Sequence, residues 1–410
     1  MLMPAGFYRL IAAQFFSALA DNALLILAIA LLHAQGQPLW WAPLLKFCFT
    51  LAYVLLAPFA GPLADAMPKA RLMAWTNGLK AVGLLALLAG LHPLAAFAVV
   101  GTGAALYAPA KYGLVTEVVG PDRLVAANGW IEVAAVLAVL LGTLVGGLLV
   151  SDSAEALFMA LAVAGPLDAA MAVVLGLYGV AALLNTGLPD SGARYLQGSN
   201  QPQVLVRDFV QANRRLWADP LGGLSLAVTT LFWGVGAMMQ FAVLRWADTA
   251  LGFDLSEASY LQAVVAVGVV AGAALVGRWV GLHKAVVVLP AGVALGLLLP
   301  ALASTQSLGL AVPLLVLTGV MGGVLVVPMN ALLQHRGHVL LTAGRSIAVQ
   351  NFNENLSILV LLGGYAVLLA MDLSIATVMW LAGLAIAALV GALIWRERRL
   401  ARSNALAALP

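Results

Sequence analysis

Charged side chains are scarce in this chain. Asp, Glu, Lys and Arg together make up 9% of the 410 residues, whereas soluble proteins carry about 25%. Hydrophobic residues reach 63%, against about 45–50% in soluble proteins. These values exclude an ordinary soluble domain and indicate a polytopic membrane protein. At about 20 apolar residues per span, a chain of this length with short loops holds about a dozen membrane helices.

Cysteine is nearly absent as well. The one cysteine, Cys48, lies inside an apolar run, which excludes a disulfide framework and a cysteine metal site. The five histidines are scattered and lack the spacing of metal ligands. The chain also lacks a glycine-rich phosphate loop, so direct drive by ATP is not expected. We therefore expect no cofactor, no metal site and no nucleic-acid partner.

Long apolar runs fill most of the chain and predict an all-α membrane protein with twelve transmembrane helices. The predicted spans are 7–33, 39–64, 71–91, 94–117, 123–150, 166–188, 221–247, 256–280, 284–303, 307–331, 342–370 and 373–395. One long connection divides them into two six-helix halves, 1–188 and 221–410, with 189–220 as a linker. The first span is too long for a cleaved signal peptide, and an aspartate interrupts it.

Basic residues are distributed unevenly between the two sides of the predicted membrane. They occupy the even-numbered loops, as at Lys69 and Arg71, and the C-terminal tail. The opposite loops carry acids such as Asp248 and Asp372, with Arg245 as the exception. By the positive-inside rule, both termini are expected to be cytoplasmic.

The linker contains a predicted amphipathic helix. Its apolar residues Leu205, Phe209, Ala212 and Leu216 fall on one face, and several arginines fall elsewhere. Such a helix can lie on the anionic cytoplasmic leaflet. A solvated linker helix is the alternative.

An acidic residue, Asp21, sits near the middle of the first span. A carboxylate at the centre of a bilayer costs at least about 2.5–3.5 kcal/mol. Gln14, Ser17 and Asp21 share one helix face, which is therefore expected to face protein rather than lipid. Two roles remain open, a binding site at mid-membrane and an interhelical lock with a lysine. Both hold if the lock opens during transport.

Polar side chains recur at helical spacing in five other spans. These are Thr76, Asn77 and Lys80; Tyr107 and Lys111; Asn128 and Glu132; Thr229, Trp233 and Gln240; and Ser346, Gln350, Asn351, Asn353, Glu354 and Ser357. Arg245 closes the seventh span. Such a set is hard to explain as lipid-facing. Acids and bases in one cavity suit a substrate that carries both a phosphate and an amine.

The loop after the second span reads Gly61-Pro62-Leu63-Ala64-Asp65, with Arg71 six residues later. It resembles the cytoplasmic signature of the major facilitator superfamily. The glycine permits close helix approach, and Asp65 can cap a helix or pair with Arg71. This latch would stabilise one end state of a rocking cycle. A weak repeat between the halves includes predicted proline breaks at Pro109 and Pro328.

Several segments, taken in order, are similar to the bacterial lysophospholipid transporter family. They include 17–24, 107–113, 126–129, 231–234, 319–323, 328–334 and 348–351. The resemblance implies a major facilitator protein of the bacterial inner membrane, and we expect it to be a monomer. It would bring lysophosphatidylethanolamine and related lysolipids from the outer to the inner leaflet, where a cytoplasmic acyltransferase restores the missing chain. The chain departs from the family at Gln240, where an arginine is usual.

Together the residues and the resemblance predict one substrate site. Its candidate residues are Gln14, Asp21, Asn22, Lys80, Tyr107, Lys111, Glu132, Gln240, Arg245, Gln350, Asn351 and Glu354. Of these, Asp21, Lys111 and Glu354 fall on charged positions associated with the family's substrate path.

Two rival functions remain open at this point. A proton-coupled drug exporter of the same fold would use Asp21 or Glu354 as its titrating acid. An intramembrane enzyme acting on lysolipid, such as an acyltransferase, is the other rival. The chain lacks a His–Asp pair of catalytic spacing and a nucleophile elbow, so a transporter is favoured over an enzyme.

Overall fold

The structure, a computed structural model, describes residues 3–37, 41–160, 165–193, 195, 201–253 and 255–407. The described part of the chain forms fourteen α-helices. They are α1 Ala5–Ala34, α2 Trp41–Ala66, α3 Lys69–Leu88, α4 Pro93–Val118, α5 Leu124–Leu149, α6 Asp152–Ala160, α7 Pro166–Thr186, α8 Pro202–Ala218, α9 Pro220–Trp246, α10 Leu255–Trp279, α11 Leu289–Ala303, α12 Leu308–Leu340, α13 Ala343–Ala370 and α14 Ile375–Ala407. Residues 39–40 of the second predicted span, and 194 and 196–200 of the predicted linker, lie outside the described residues.

The predicted spans correspond to α1–α5, α7 and α9–α14. Eleven helices among the described residues are long and apolar enough to cross a membrane. The one predicted span that is missing from these eleven is the third, α3. Its 20 residues include Asn77 and Lys80, so it is less apolar than the others. With α3 counted, the spans number twelve, which confirms the predicted fold class.

Helix ends and prolines were predicted less well. α12 continues to Leu340, and α14 to Ala407, well beyond the apolar stretches. Backbone hydrogen bonds continue a helix past the lipid boundary, so hydropathy marks the membrane edge rather than the helix end. The predicted breaks at Pro109 and Pro328 are wrong, because α4 and α12 run through both prolines. The short helix α6 was not predicted.

Two compact units make up the chain. The first consists of Met1–Ala127, Ala134–Ala218 and Gln334–Leu356, and the second of Asn128–Val133, Asp219–Leu333 and Ser357–Pro410. We call them unit 1 and unit 2. The division into predicted halves 1–188 and 221–410 stays a prediction.

The core of unit 1 lies among α1, α2, α3, α4 and α7. Fully buried side chains such as Leu24, Leu27, Leu84 and Tyr178 form it. Helix α1 packs on α7, and α3 packs on both α4 and α7. The polar stripe of α1 therefore borders this core.

The core of unit 2 includes Val243 and Trp246 of α9 together with Leu315 of α12 and Met379 of α14. Helices α11 and α14 pack against each other, and α14 also packs on α9. These contacts set the relative positions of α9, α11 and α14.

Large apolar side chains are also exposed along the spans. Leu55 is 62% exposed, Leu183 73% and Val360 61%. Exposed apolar surface of this kind needs an apolar surrounding. The chain is accordingly a multi-pass membrane protein whose helices turn such residues to lipid.

Helix α8 is the predicted amphipathic helix, and its apolar face contacts protein. Leu216 is fully buried and Ala212 is 7% exposed. The helix packs on α2, and the Phe209 ring lies 5.2 Å from the Phe352 ring of α13. This face is therefore largely packed against protein within unit 1, which neither predicted alternative described.

Candidate functional site

A buried ion pair joins α1 to α3. Lys80 Nζ lies 2.7 Å from Asp21 Oδ2, and their side chains are 2% and 16% exposed, respectively. The neighbours of Asp21 along α1, Ala20 and Ala23, are fully buried. Two charges in such surroundings are stable only when each compensates the other. Asp21 thus has the lysine partner that the interhelical lock requires.

Hydroxyl and amide groups extend this pair into a network. Lys80 Nζ also donates to Ser17 Oγ over 3.0 Å, and Ser17 Oγ donates to Asn77 Oδ1 over 2.7 Å. Tyr178 of α7 donates its hydroxyl to Asp21 Oδ1 over 2.8 Å. The prediction that the polar face of α1 avoids lipid is confirmed by these contacts.

Two aromatic rings flank the lysine ammonium. Lys80 Nζ lies 5.4 Å from the centre of the Tyr107 ring and 5.9 Å from that of Tyr178. Aromatic faces attract cations within about 6 Å. Gly103 of α4 makes the close packing possible, since a Cβ there would lie 2.7 Å from Lys80 Cγ. We call Ser17, Asp21, Asn77, Lys80, Tyr107 and Tyr178 the ionic cluster.

Two further candidates of α1 flank the ionic cluster. Gln14 is 3% exposed and lies on the predicted face. Asn22 donates its amide to Ala18 O of its own helix over 2.7 Å. A Cβ on Gly142 of α5 would lie 2.9 Å from the Asn22 Cβ, so Asn22 is directed towards the α1–α5 contact.

The remaining candidates of unit 1 lie on α4 and α13. Lys111 Nζ stands 3.9 Å from the centre of the Tyr112 ring. Gln350 Nε2 donates to Glu354 Oε1 over 2.8 Å, and both side chains are buried. Asn351 is 9% exposed. Gln350, Asn351 and Glu354 thus give α13 the buried polar stretch that was predicted for its span.

Asn353, another polar residue of this span, contacts the linker helix α8. Its amide donates to Asn213 Oδ1 over 2.9 Å, and its Oδ1 accepts from Trp217 Nε1 over 3.1 Å. Both partners belong to α8. Asn353 precedes Glu354 by one residue, which rotates its side chain by about 100° about the helix axis and directs it to α8 rather than to the contact between Gln350 and Glu354.

Three predicted site residues belong to unit 2. Glu132 is 6% exposed and lies in the first turns of α5. Gln240 is exposed, and its backbone carbonyl oxygen accepts a hydrogen bond from Gln262 Nε2 over 2.7 Å. Arg245 stands at the C-terminal end of α9 and lines a cavity there.

Asp65 binds the start of α13. Its Oδ1 accepts from the Gly344 backbone N–H over 2.8 Å, and Thr342 donates its hydroxyl to Oδ2. A carboxylate is favourable at a helix N-terminus, where backbone N–H groups are unpaired. The predicted alternative, a pair with Arg71, is wrong, since Arg71 is exposed and forms no ion pair with another described residue.

Glycines allow this contact between α2 and α13. A Cβ on Gly61 would lie 2.8 Å from Arg345 Cα, and one on Gly344 would lie 2.6 Å from Gly61 O. Real Cβ atoms do not approach so closely. The close approach predicted from Gly61 is therefore confirmed, with α13 as the helix approached.

A second buried ion pair lies under the linker. Lys69 Nζ is 2.7 Å from Glu117 Oε1, and the two side chains are 1% and 5% exposed. Ser191 and Tyr195 donate their hydroxyls to Glu117 over 2.5 and 3.2 Å. Burial, followed by the charge of Glu117, raises the pKa of Tyr195 to about 12. The Tyr195 hydroxyl therefore stays protonated and remains a donor at neutral pH.

Sequence reasoning missed several of these residues. Tyr178 stands alone in an apolar span, which was a signal of burial that could have been followed. Gly344 carries no such signal, because a backbone donor at a helix start is the same for any residue, and a single loop threonine such as Thr342 does not indicate its acceptor. Lys69 was counted among the basic residues of the even-numbered loops, and its charge gave no indication that it is almost fully buried.

The comparisons with known proteins cover nearly the whole chain. A family model described as Major Facilitator Superfamily matches residues 10–362. The lysophospholipid transporter LplT of Yersinia pestis (strain Pestoides F) is 38% identical over 378 residues, which are 92% of this chain and 90% of that protein.

The chain belongs to the major facilitator superfamily. Within it, the chain is an LplT-type member, which confirms the resemblance drawn from its segments. Since proteins of this superfamily are transporters, the chain is a transporter rather than an enzyme. The rival role of an intramembrane acyltransferase is thereby excluded.

Solved structures agree on the major facilitator fold. A bacterial homologue of the iron transporter ferroportin, solved in an outward-facing state, matches with a TM-score of 0.74 at 16% identity, covering 97% of this chain and 100% of that one. The fucose:proton symporter FucP of E. coli matches with a TM-score of 0.72 at 15% identity, covering 96% and 98%. At these identities the likeness concerns the fold alone.

Proposed function

We propose that the chain transports lysophospholipids, moving lysophosphatidylethanolamine and related lysolipids from the outer to the inner leaflet of the bacterial inner membrane. The observation that carries the substrate class is the similarity to LplT over about nine-tenths of both chains. Both termini would be cytoplasmic. A cytoplasmic acyltransferase would then restore the missing acyl chain on the delivered lipid.

The chemistry of the ionic cluster supports this substrate class. A lysophosphatidylethanolamine headgroup carries one phosphate and one ammonium group. Lys80 and Asp21 can therefore exchange their mutual salt bridge for two new ones, Lys80 with the phosphate and Asp21 with the ammonium. The number of buried ion pairs does not fall, so no charge is left uncompensated at mid-membrane.

The neighbours of this pair suit both halves of such a headgroup. The rings of Tyr107 and Tyr178, which now flank the lysine ammonium, offer faces to a substrate ammonium. In this proposal Lys111 offers a further cation to the phosphate. Gln350 and Glu354 supply an amide and a carboxylate on α13. The other predicted site residues, Glu132, Gln240 and Arg245, stay predictions.

Transfer of labelled lysophosphatidylethanolamine in proteoliposomes tests the proposal. The fraction of lipid that albumin no longer extracts from the outer leaflet reports inward movement. We expect protein-dependent movement that is lost in Lys111→Ala and in Glu354→Ala. Each variant removes a charge that the headgroup needs.

Matched controls exist for both changes. Lys284 and Glu155 are exposed, so Lys284→Ala and Glu155→Ala should transfer lipid at the wild-type rate. Wild-type rates in the Lys111 and Glu354 variants would remove those residues from the site. Movement of drugs driven by a pH gradient, without any lysolipid transfer, would instead support the drug exporter.

A further inference from the structure

Unit 2 contains a cavity of about 660 Å³ at the C-terminal ends of α9 and α11 and beside the α13–α14 loop. Its size falls within the range of about 300–1,000 Å³ that is typical of small-molecule sites. We call it the α9–α14 cavity. The lining residues that matter here are Arg245, Trp246, Thr249, Ser304, Asp372 and Trp380.

Two opposite charges line this cavity without neutralising each other. Arg245 and Asp372 are both exposed, and neither forms an ion pair with another residue in the described part of the chain. The ionic cluster of unit 1 is different, because its charges are already paired. One unpaired cation and one unpaired anion in the same cavity favour a ligand that carries both charges.

A buried donor belongs to one of the residues that line the cavity. Trp246 is 1% exposed, and its indole N–H has no hydrogen-bond partner among the described residues. A buried donor without an acceptor costs free energy, which a ligand oxygen would recover. Thr249 and Ser304 add hydroxyls to the lining, and Trp380, 44% exposed, adds an aromatic face.

We propose that the α9–α14 cavity is a receiving site for the zwitterionic headgroup of a lysophospholipid. The phosphate lies against Arg245 and the Trp246 N–H, and the ammonium lies against Asp372 and the face of Trp380. By the predicted topology the cavity opens on the outer side, where the substrate starts. The choice of lipid rests on the proposed function, whereas the two charges come from the cavity itself.

Photolabelling with two lipids tests this assignment. The probes are lysophosphatidylethanolamine and lysophosphatidylglycerol, each with a diazirine on the glycerol, added to the full chain in nanodiscs. Mass spectrometry measures the yield on peptides that contain Trp380 or Thr249. Wild-type protein should be labelled there by both lipids, because both carry a phosphate.

The variants separate the two charges. Arg245→Gln should lower labelling by both lipids about tenfold, as expected for one charge-assisted hydrogen bond. Asp372→Asn should lower labelling by the ethanolamine lipid and leave the glycerol lipid unchanged. Asp372 has φ +60°, a conformation that asparagine also adopts readily, so this variant keeps the loop. Arg278→Gln removes an exposed arginine from α10 and is the matched control.

The possible outcomes distinguish this proposal from the proposed function. Wild-type labelling in both variants would overturn the receiving site, and so would an equal loss with both lipids in Asp372→Asn, since that would be a structural effect. Lipid transfer by wild-type protein would still support the proposed function in either case. The expected pattern together with an absence of transfer would support the cavity and contradict the transporter's substrate.

Discussion

At the scale of single residues, the placement of Asp21 was predictable and its partner was not. A carboxylate in an apolar span must find compensation, and the spacing of Gln14, Ser17 and Asp21 showed which face would do so. Lys80 and Lys111 were both available as partners. The choice depends on the rotation of α3 and α4 about their axes, which the apolar pattern of a membrane helix does not define.

The pair predicts a characteristic stability pattern. Asp21→Asn or Lys80→Gln alone leaves one buried charge and should lower the free energy of unfolding by about 3–5 kcal/mol. The double variant removes both charges and should recover most of this loss. Unfolding in increasing denaturing detergent measures the difference.

Exposed Lys284→Gln is the control and should have no effect. Additive losses in the double variant would contradict the ion pair, because two residues that do not interact lose stability independently.

At the scale of helices, apolar runs predicted where the spans lie. How the helices pack against each other depends on particular polar groups and glycines. The Gly61 signature predicted close packing, but the partner could not be read from it. The contact needs Gly344 and the unpaired N–H groups at the start of α13, some 280 residues away in sequence. Likewise, the apolar face of α8 was predicted correctly, whereas its burial against α2 and α13 depends on tertiary structure.

The contact between α2 and α13 predicts a strong steric effect. Gly344→Val would place side-chain carbons against Gly61 O and the Asp65 carboxylate, both closer than 3 Å to a Cβ there. We expect the latch to open, so that a thiol reagent reacts faster with cysteine introduced at Thr342 in a Cys48→Ala background.

Gly364→Val is the matched control, since a Cβ at Gly364 meets nothing within 4 Å. It should leave the reaction rate of the same cysteine unchanged. Equal rates in Gly344→Val and wild-type protein would show that the contact between Asp65 and Gly344 does not shield position 342 from the reagent.

At the scale of the whole molecule, composition and the long apolar runs predicted the fold class. Charged residues make up 9% of the chain and hydrophobic residues 63%, so much of its apolar surface must contact lipid. The length of the chain then limits the number of spans. Membership of the superfamily was predictable from the signature at residues 61–65. The likeness to lysophospholipid transporters was predictable because short segments matched in order along the chain. The charge distribution between the two sides predicts the topology, which remains to be tested.

The substrate site was only partly predictable at this scale. Composition and spacing identified most polar residues within spans, because each is an exception in an apolar run. They treated all of them as one site. Within unit 1 the structure places Asp21 and Lys80 in one cluster and Gln350 beside Glu354 on α13, and Arg245 lines a cavity of unit 2; that all of them form one site stays a prediction. Sequence spacing reports a shared helix face, and it carries no information about distances between helices.

The most direct test of the central claim is lysophosphatidylethanolamine transfer by the double variant Asp21→Asn, Lys80→Gln. This variant keeps polar side chains of similar size while removing both charges, so it should fold. We predict that its transfer rate in proteoliposomes falls at least about tenfold below that of the wild type, because the phosphate and the ammonium both lose a charged partner. A wild-type rate in the folded double variant would contradict the account.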